Sequence, residues 1–168
     1  MEKAVHTYKV YLLGFMAAGK TSFGKKLSKH LGLPFYDMDY MIEKNVGLGV
    51  PGIFKEFGEE FFRVRELEAL QETTTFENGV FATGGGIVES PGAIETINEN
   101  GFSIFLSTPT ETILQRLLGN KQERPLLAGK TDTEIEQFVR GRYLHRLPLY
   151  NKCQIHLDPS VTSDEKAN

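Results

Sequence analysis

Hydrophobic and polar positions along this chain switch repeatedly between a strand period and a helix period. Val10-Tyr11-Leu12-Leu13 is a continuous apolar run, the mark of a strand buried on both faces. From Lys20 to Leu31 the apolar positions fall at Phe23, Leu27 and Leu31, which is one helix face, and Gly32 then ends the helix. Pro34-Phe35-Tyr36-Asp37 predicts a short second strand ending in carboxylates, and Tyr40-Met41-Ile42 begins a short helix. Residues 51–57 suggest a helical turn that Gly58 interrupts, followed by a longer helix from Glu59 that packs through Phe61, Val64, Leu67 and Leu70. Val80-Phe81-Ala82 reads as a third strand, 91–100 as a helix and Phe102–Leu106 as the clearest strand. A helix over 109–118 has Pro109 in its first turn. Residues 119–130 hold charges, two glycines and a proline without a sustained period, which predicts a mobile surface loop. A helix resumes over 132–146 with Ile135, Phe138 and Val139 inside and ends as Pro148 approaches. Residues 154–157 form a last strand, and the tail after Asp158 is polar and frayed.

Strands alternating with helices, without internal repeats, predict an α/β domain. Its parallel sheet is covered on both faces, and its ligands sit at the carboxyl ends of the strands. The 168 residues suffice for one such domain with its own core. Three polar features each follow a strand: the loop from Gly14, the pair Asp37 and Asp39, and Gly84-Gly85-Gly86. All three therefore line one edge of the sheet and form one active site.

Gly14-Phe15-Met16-Ala17-Ala18-Gly19-Lys20-Thr21 fits G-x-x-x-x-G-K-[ST] between a strand and a helix, which makes it a phosphate-binding loop. Short side chains at Ala17, Ala18 and Gly19 leave backbone N–H groups free for phosphate oxygens, Lys20 supplies a point charge, and Thr21 offers a hydroxyl to Mg²⁺. On an extended backbone Asp37 and Asp39 share a face, so one holds the metal while the other receives a proton from an attacking hydroxyl; a helix N-cap is the alternative for Asp39. Three successive glycines suggest backbone that approaches a ligand closely, or else a merely flexible turn. Arg63 has Glu66 at i+3 to orient it, whereas Arg65 and Glu68 read as an ordinary exposed pair. Arg124, in the polar loop, is placed to swing over a transferring phosphoryl group or to remain a solvated charge, and Arg146 binds an anion or caps its helix. Such a set suits phosphoryl transfer to a hydroxyl of a small carboxylated acceptor.

Composition narrows the setting. A net charge of −3 with a pI near 5.8 argues against a partner held by nucleic-acid phosphates. The single cysteine, Cys153, excludes an internal disulfide and a cysteine-based zinc site; it reads as an inert residue of the last strand and suits a reducing cytosol. His6, His30, His145 and His156 lack metal-ligand spacing. Neither a membrane-spanning run nor signal-peptide order is found, so a soluble cytoplasmic protein is expected.

From about Tyr8 to Leu157 these motifs, in order, resemble the shikimate kinase family. The resemblance implies a three-layer α/β/α P-loop kinase fold with a five-stranded parallel sheet, like that of nucleoside monophosphate kinases. Its parts are a substrate-binding segment over about 38–66, a lid over about 118–131 and a polar tail over 158–168. It also implies transfer of the ATP γ-phosphate to the 3-hydroxyl of shikimate by a cytoplasmic monomer that uses Mg²⁺, with neither nucleic acid nor membrane as partner. Asp37-Met38-Asp39 is similar to the family's D-x-D, which gives the metal to Asp37 with Thr21 and makes Asp39 a substrate ligand and the base. G-E-x-x-F-R at 58–63 places Phe62 and Arg63 at the acceptor, with Glu66 in support. Gly84, Gly85 and Gly86 match the substrate-binding glycines, Arg124-Pro125-Leu126-Leu127 the lid, and Arg146-Leu147-Pro148-Leu149-Tyr150 the R-x-P-x-Y whose arginine takes the acceptor carboxylate. Arg116 matches the position against adenine; Gly14, Ala17, Ala18, Gly19, Lys20 and Arg124 complete the ATP site, and Lys20 and Arg124 join Asp39 in catalysis. The chain departs from the family at Ala17, where glycine is usual and a small effect on nucleotide affinity is expected. It departs again in the tail, which carries Pro159 in place of a final helix. Gluconate or nucleoside monophosphate kinases of the same fold are the nearest alternative, and a nucleotide-dependent switch lacks the N-K-x-D it would need.

Overall fold

In the computed structural model the described residues are 8–120 and 124–159. Five parallel strands, β1 (Lys9–Leu13), β2 (Phe35–Asp37), β3 (Gly79–Ala82), β4 (Phe102–Leu106) and β5 (Ile155–Leu157), lie in the order β2-β3-β1-β4-β5. Six helices connect and cover them: α1 (Lys20–Leu31), α2 (Met38–Val46), α3 (Val50–Thr74), α4 (Ala93–Asn100), α5 (Thr110–Gly119) and α6 (Asp132–Tyr150). Short 3₁₀ turns stand at Ile87–Glu89 and Pro125–Leu127.

The central strand β1 is buried along its whole length, as its unbroken apolar run requires. Its residues alternate between two cores. Tyr11 and Leu13 face a large cluster with Phe81, Phe105, Leu70 and Tyr150, while Val10 and Leu12 pack with Val80 against Phe23 and Leu27 of α1. Ring stacking of Tyr11 on Phe81 and of Phe105 on Tyr150 ties α6 to the middle of the sheet. Helix α1 comes down so closely that a Cβ at Gly24 would lie 2.9 Å from Leu12.

Several periodicity readings needed correction. Leu31 and Val64 are exposed. In α3 the buried line is Phe62, Glu66, Ala69, Leu70 and Thr73, because the helix turns a partly polar face toward the site. The break at Gly58 is real: its φ of 81° and ψ of 175° interrupt the helix on either side. Helix α6 does not stop before Pro148 but continues to Tyr150; Leu144, whose carbonyl lacks a partner N–H at Pro148, is well exposed to water. Cys153 and Gln154 lie in the turn before β5, where Gln154 exchanges two hydrogen bonds with Ser103. Cys153 is buried, which raises its thiol to about 11. The tail prediction beyond Pro159 and residues 121–123 of the loop fall outside the described residues.

Candidate active site

The strand ends of β1, β2 and β3 bring the three polar features together, as expected. The loop after β1 needs backbone that few residues adopt: Gly14 has φ 152°, Gly19 97° and Ala17, the one described non-glycine residue with positive φ, 60°. Lys20 folds back over this loop and donates to the carbonyls of Gly14 and Phe15 at 2.7 and 2.9 Å. Burial lowers its ammonium to about 8, with Asp39 and Asp37 opposing the shift and Arg124 and Arg146 adding to it. Ala18 spends its N–H on Phe15, so it does not offer that group to a phosphate. Arg116 donates to the Ala17 carbonyl at 2.8 Å and so lies on the loop.

The two aspartates are not i,i+2 partners of one strand. Strand β2 ends at Asp37, and Asp39 is in the first turn of α2. Asp37 is the helix N-cap, accepting from the Asp39 N–H at 3.1 Å, and its other oxygen accepts from the Thr21 hydroxyl at 2.9 Å. Asp39 is left with a buried Oδ1 that has no hydrogen-bond partner. Burial and then Asp37 hold its carboxyl above the usual range, with Lys20 and Arg124 opposing.

Each glycine of the triple has its own steric reason, and none of the three needs a positive φ. A Cβ at Gly84 would run into the Glu66 carboxylate and lie 3.2 Å from Asp39 Oδ1. At Gly85 it would lie 3.1 Å from the backbone nitrogen of Met16 in the phosphate loop, and at Gly86 it would strike the Arg63 guanidinium. What excludes a side chain at each of the three is therefore the site's own side chains and loop.

Arg63 donates to Glu66 at 2.5 Å and to Glu59 at 2.8 Å. Glu66 is almost wholly buried, with Oε1 unpartnered; burial raises it to about 7 although Arg63 pulls the other way. The exposed pair Arg65 and Glu68 is present as read. Arg146 is not a helix cap: it lies inside α6, 1 % exposed, over the Phe15 ring. It donates through Nε and Nη2 to Glu89 at 2.9 and 2.6 Å and through Nη1 to the Gly85 carbonyl at 2.9 Å, which Tyr150 also engages.

Two cavities open on this edge. The larger is lined by Ala17, Gly19, Lys20, Thr21, Asp37 and Arg116. The smaller is lined by Phe62, Arg63, Glu66, Gly86 and Arg146, with Val50 and Phe54 as an apolar wall. Met16, Asp39, Gly85 and Arg124 belong to both. Gly14, Ala18 and Gly84 stand behind the surfaces, shaping them from beneath. Val50, Phe54, Glu89 and Arg142 escaped the sequence reading. The first two look like core residues, and the last two meet their partners only across long stretches of chain.

A polar cradle for phosphates sharing one wall with a smaller cavity rich in arginine defines a P-loop phosphotransferase, which moves a phosphoryl group onto a small alcohol. The family model described as shikimate kinase matches residues 16–167. A shikimate kinase of Aquifex aeolicus is 37% identical over 157 residues, covering 94% of this chain and 90% of the relative. Among solved structures, shikimate kinase from Bacteroides thetaiotaomicron superposes with a TM-score of 0.84 at 36% identity, covering 90% of this chain and 86% of that one. Shikimate kinase from Acinetobacter baumannii in complex with shikimate gives 0.83 at 37%, covering 90% and 83%. The chain belongs to the shikimate kinase family.

Proposed function

We propose that this chain transfers the γ-phosphate of ATP to the 3-hydroxyl of shikimate with Asp39 as general base, giving shikimate 3-phosphate and ADP. The observation that carries the reading is the unpartnered, buried Oδ1 of Asp39 on the wall common to both cavities. A carboxylate left without a donor there is costly unless a substrate hydroxyl supplies one. The hydroxyl oxygen attacks the γ-phosphorus, the bond to the bridging oxygen of ADP breaks, and the hydroxyl proton passes to Asp39. A carboxyl raised by burial is the better acceptor for it.

Arg63 and Arg146 take the acceptor carboxylate, each held by its own glutamates so that its plane is set before binding. Phe62, Val50 and Phe54 exclude water from the ring face. Lys20 and the loop N–H groups hold the β and γ phosphates, Arg116 lies toward the base, and Arg124 spans both cavities to meet developing charge. Thr21 and Asp37, two hard oxygen donors 2.9 Å apart on the phosphate cavity, suit Mg²⁺. When bound, that ion neutralises charge on the phosphates.

The same reading takes the chain as one domain, with an acceptor-binding segment over about 38–66 and a lid over about 118–131. It acts as a cytoplasmic monomer that binds no nucleic acid. Among the described residues no helix is long and apolar enough to cross a membrane. Asp39→Asn is expected to lose at least about 10²-fold in turnover while retaining ATP affinity by calorimetry. Full activity in that variant removes Asp39 as base, and ADP release with gluconate or a nucleoside monophosphate in place of shikimate overturns the acceptor.

A further inference from the structure

Beyond the walls of the two cavities, charged groups form one continuous line. Arg63 Nη2 donates to Glu59 Oε1 at 2.8 Å, and the same oxygen faces Arg142 Nη2 at 3.5 Å. That nitrogen is 3.3 Å from Glu89 Oε2, which accepts from Nη2 of Arg146 at 2.6 Å. The line starts at one arginine of the acceptor cavity and ends at the other. It crosses α3, the 3₁₀ turn after β3 and α6, three elements that no local motif connects.

Arg142 is the middle of this line and does not line the acceptor cavity. It sits one helical turn before Arg146, where two like charges on one face repel unless an anion lies between them. Glu89 is that anion. The Arg142 guanidinium also lies over the Phe138 ring, and its Nε is buried without a hydrogen-bond partner. A cation that gives up solvation in this way is held for its position. Burial alone would push the Glu89 carboxyl up, but Arg146 and Arg142 together hold it below the usual range. Over Arg63, Glu59, Glu66, Arg142, Glu89 and Arg146 the formal charges cancel, and without Arg142 the sum falls to minus one.

We propose that Arg142 is a positioning residue for the acceptor: by bridging Glu59 and Glu89 it ties Arg63 and Arg146 into one unit and keeps the glutamates around them from outnumbering the arginines that face a carboxylate. The proposal rests on the reading above that Arg63 and Arg146 take the acceptor carboxylate. With Arg142 absent, Glu59 and Glu89 each neutralise one acceptor arginine, and the two arginines lose their common frame. Ground-state binding weakens, while the reacting atoms at Asp39 and the phosphate loop are untouched.

Steady-state kinetics of the full chain test this. Arg142→Met is expected to raise the KM for shikimate about tenfold, with kcat and the KM for ATP changed less than about twofold, and Arg142→Lys to recover most of the loss. A cycle of Glu59→Gln and Glu89→Gln supplies a second measurement even if the Met variant folds poorly. The two effects on shikimate KM are expected to couple, although these residues share no direct contact. Additive effects with Arg142 intact, or a kcat loss equal to the KM effect in Arg142→Met, overturn the proposal. Arg63→Met separates the two levels: an unchanged shikimate KM there refutes the carboxylate reading itself. A raised KM in Arg63→Met with none in Arg142→Met refutes only the bridge.

Discussion

Adding one methyl group at Gly86 asks whether the placement of Arg63, and not merely its charge, carries acceptor recognition. Gly86 has φ −99° and ψ −5°, backbone that any residue adopts, so alanine brings no conformational strain. What it brings is contact: its Cβ would lie 2.5 Å from Cζ and 2.8 Å from Nη2 of Arg63. Comfortable heavy-atom separation is about 3.5 Å, so the guanidinium must retreat by about 1 Å. It is not free to do so, because Glu66 holds Nη1 at 2.5 Å and Glu59 holds Nη2 at 2.8 Å. A displacement of this size at a positioning group costs of order 10²-fold, or about 2.7 kcal/mol of transition-state stabilisation. Gly86 lines the acceptor cavity and not the phosphate cavity. Gly86→Ala should therefore lower kcat/KM for shikimate about 10²-fold in a coupled ADP-release assay and leave the ATP dissociation constant, measured by calorimetry, unchanged. Wild-type kcat/KM, or a parallel fall in ATP affinity, refutes the steric reasoning.

Three further outcomes follow from charge and backbone. With Lys20 lowered to about 8 by burial, its ammonium is lost as pH rises through that value, so ATP affinity measured at pH 9 should be about tenfold weaker than at pH 7; a flat profile would remove Lys20 from phosphate binding. Glu66, raised to about 7 by burial, favours the folded state fully below its unfolded value near 4.5, and that contribution is lost as pH rises through about 7. Arg63 offsets the burial only in part, so the fall in stability is at most about 3 kcal/mol. Denaturant midpoints at pH 5 and pH 8 should separate more in the parent than in Glu66→Gln, and equal separations would contradict the shift. Gly141 lies exposed inside α6 with open space where a Cβ would stand, so Gly141→Ala should stabilise by about 0.8–1 kcal/mol without changing kinetics.

Legibility in the sequence followed the range of the interactions. The unbroken run of β1 and the Gly32 stop are local patterns that stand in the structure as read, and the phosphate loop lies between strand and helix as its motif requires, although the Ala18 N–H is spent on Phe15. Helix faces were read less well wherever a face points at the site. Glu66 and Arg146 are among the most buried charged groups, so a search for apolar spacing over α3 and α6 chose Val64 and ended at Pro148. The triple glycine is legible as backbone suited to approach a ligand, but the neighbours that a Cβ would meet there, Glu66, Met16 and Arg63 in turn, lie outside any local window. Glu89 and Arg142 left no local signal because their pairings span 57, 53 and 83 residues.

The buried charges on this edge are arranged as a deficit that a substrate completes. Asp39 Oδ1 and Glu66 Oε1 are both buried without partners, and both stand beside Gly84, where even a methyl group would collide with Glu66 and crowd Asp39. Either orphan costs about 1–3 kcal/mol in the free enzyme, more than an ordinary side-chain hydrogen bond returns. The arginines of the same cavity, Arg63 and Arg146, have fixed partners of their own and supply no donor to either oxygen. In the proposed reading the acceptor repays that cost with hydroxyl donors at two neighbouring oxygens and a carboxylate at the arginines. An anion without hydroxyls would satisfy the arginines and leave both oxygens orphaned. On that reading the polar groups left unpaired, and not cavity size, are the stronger filter for the acceptor.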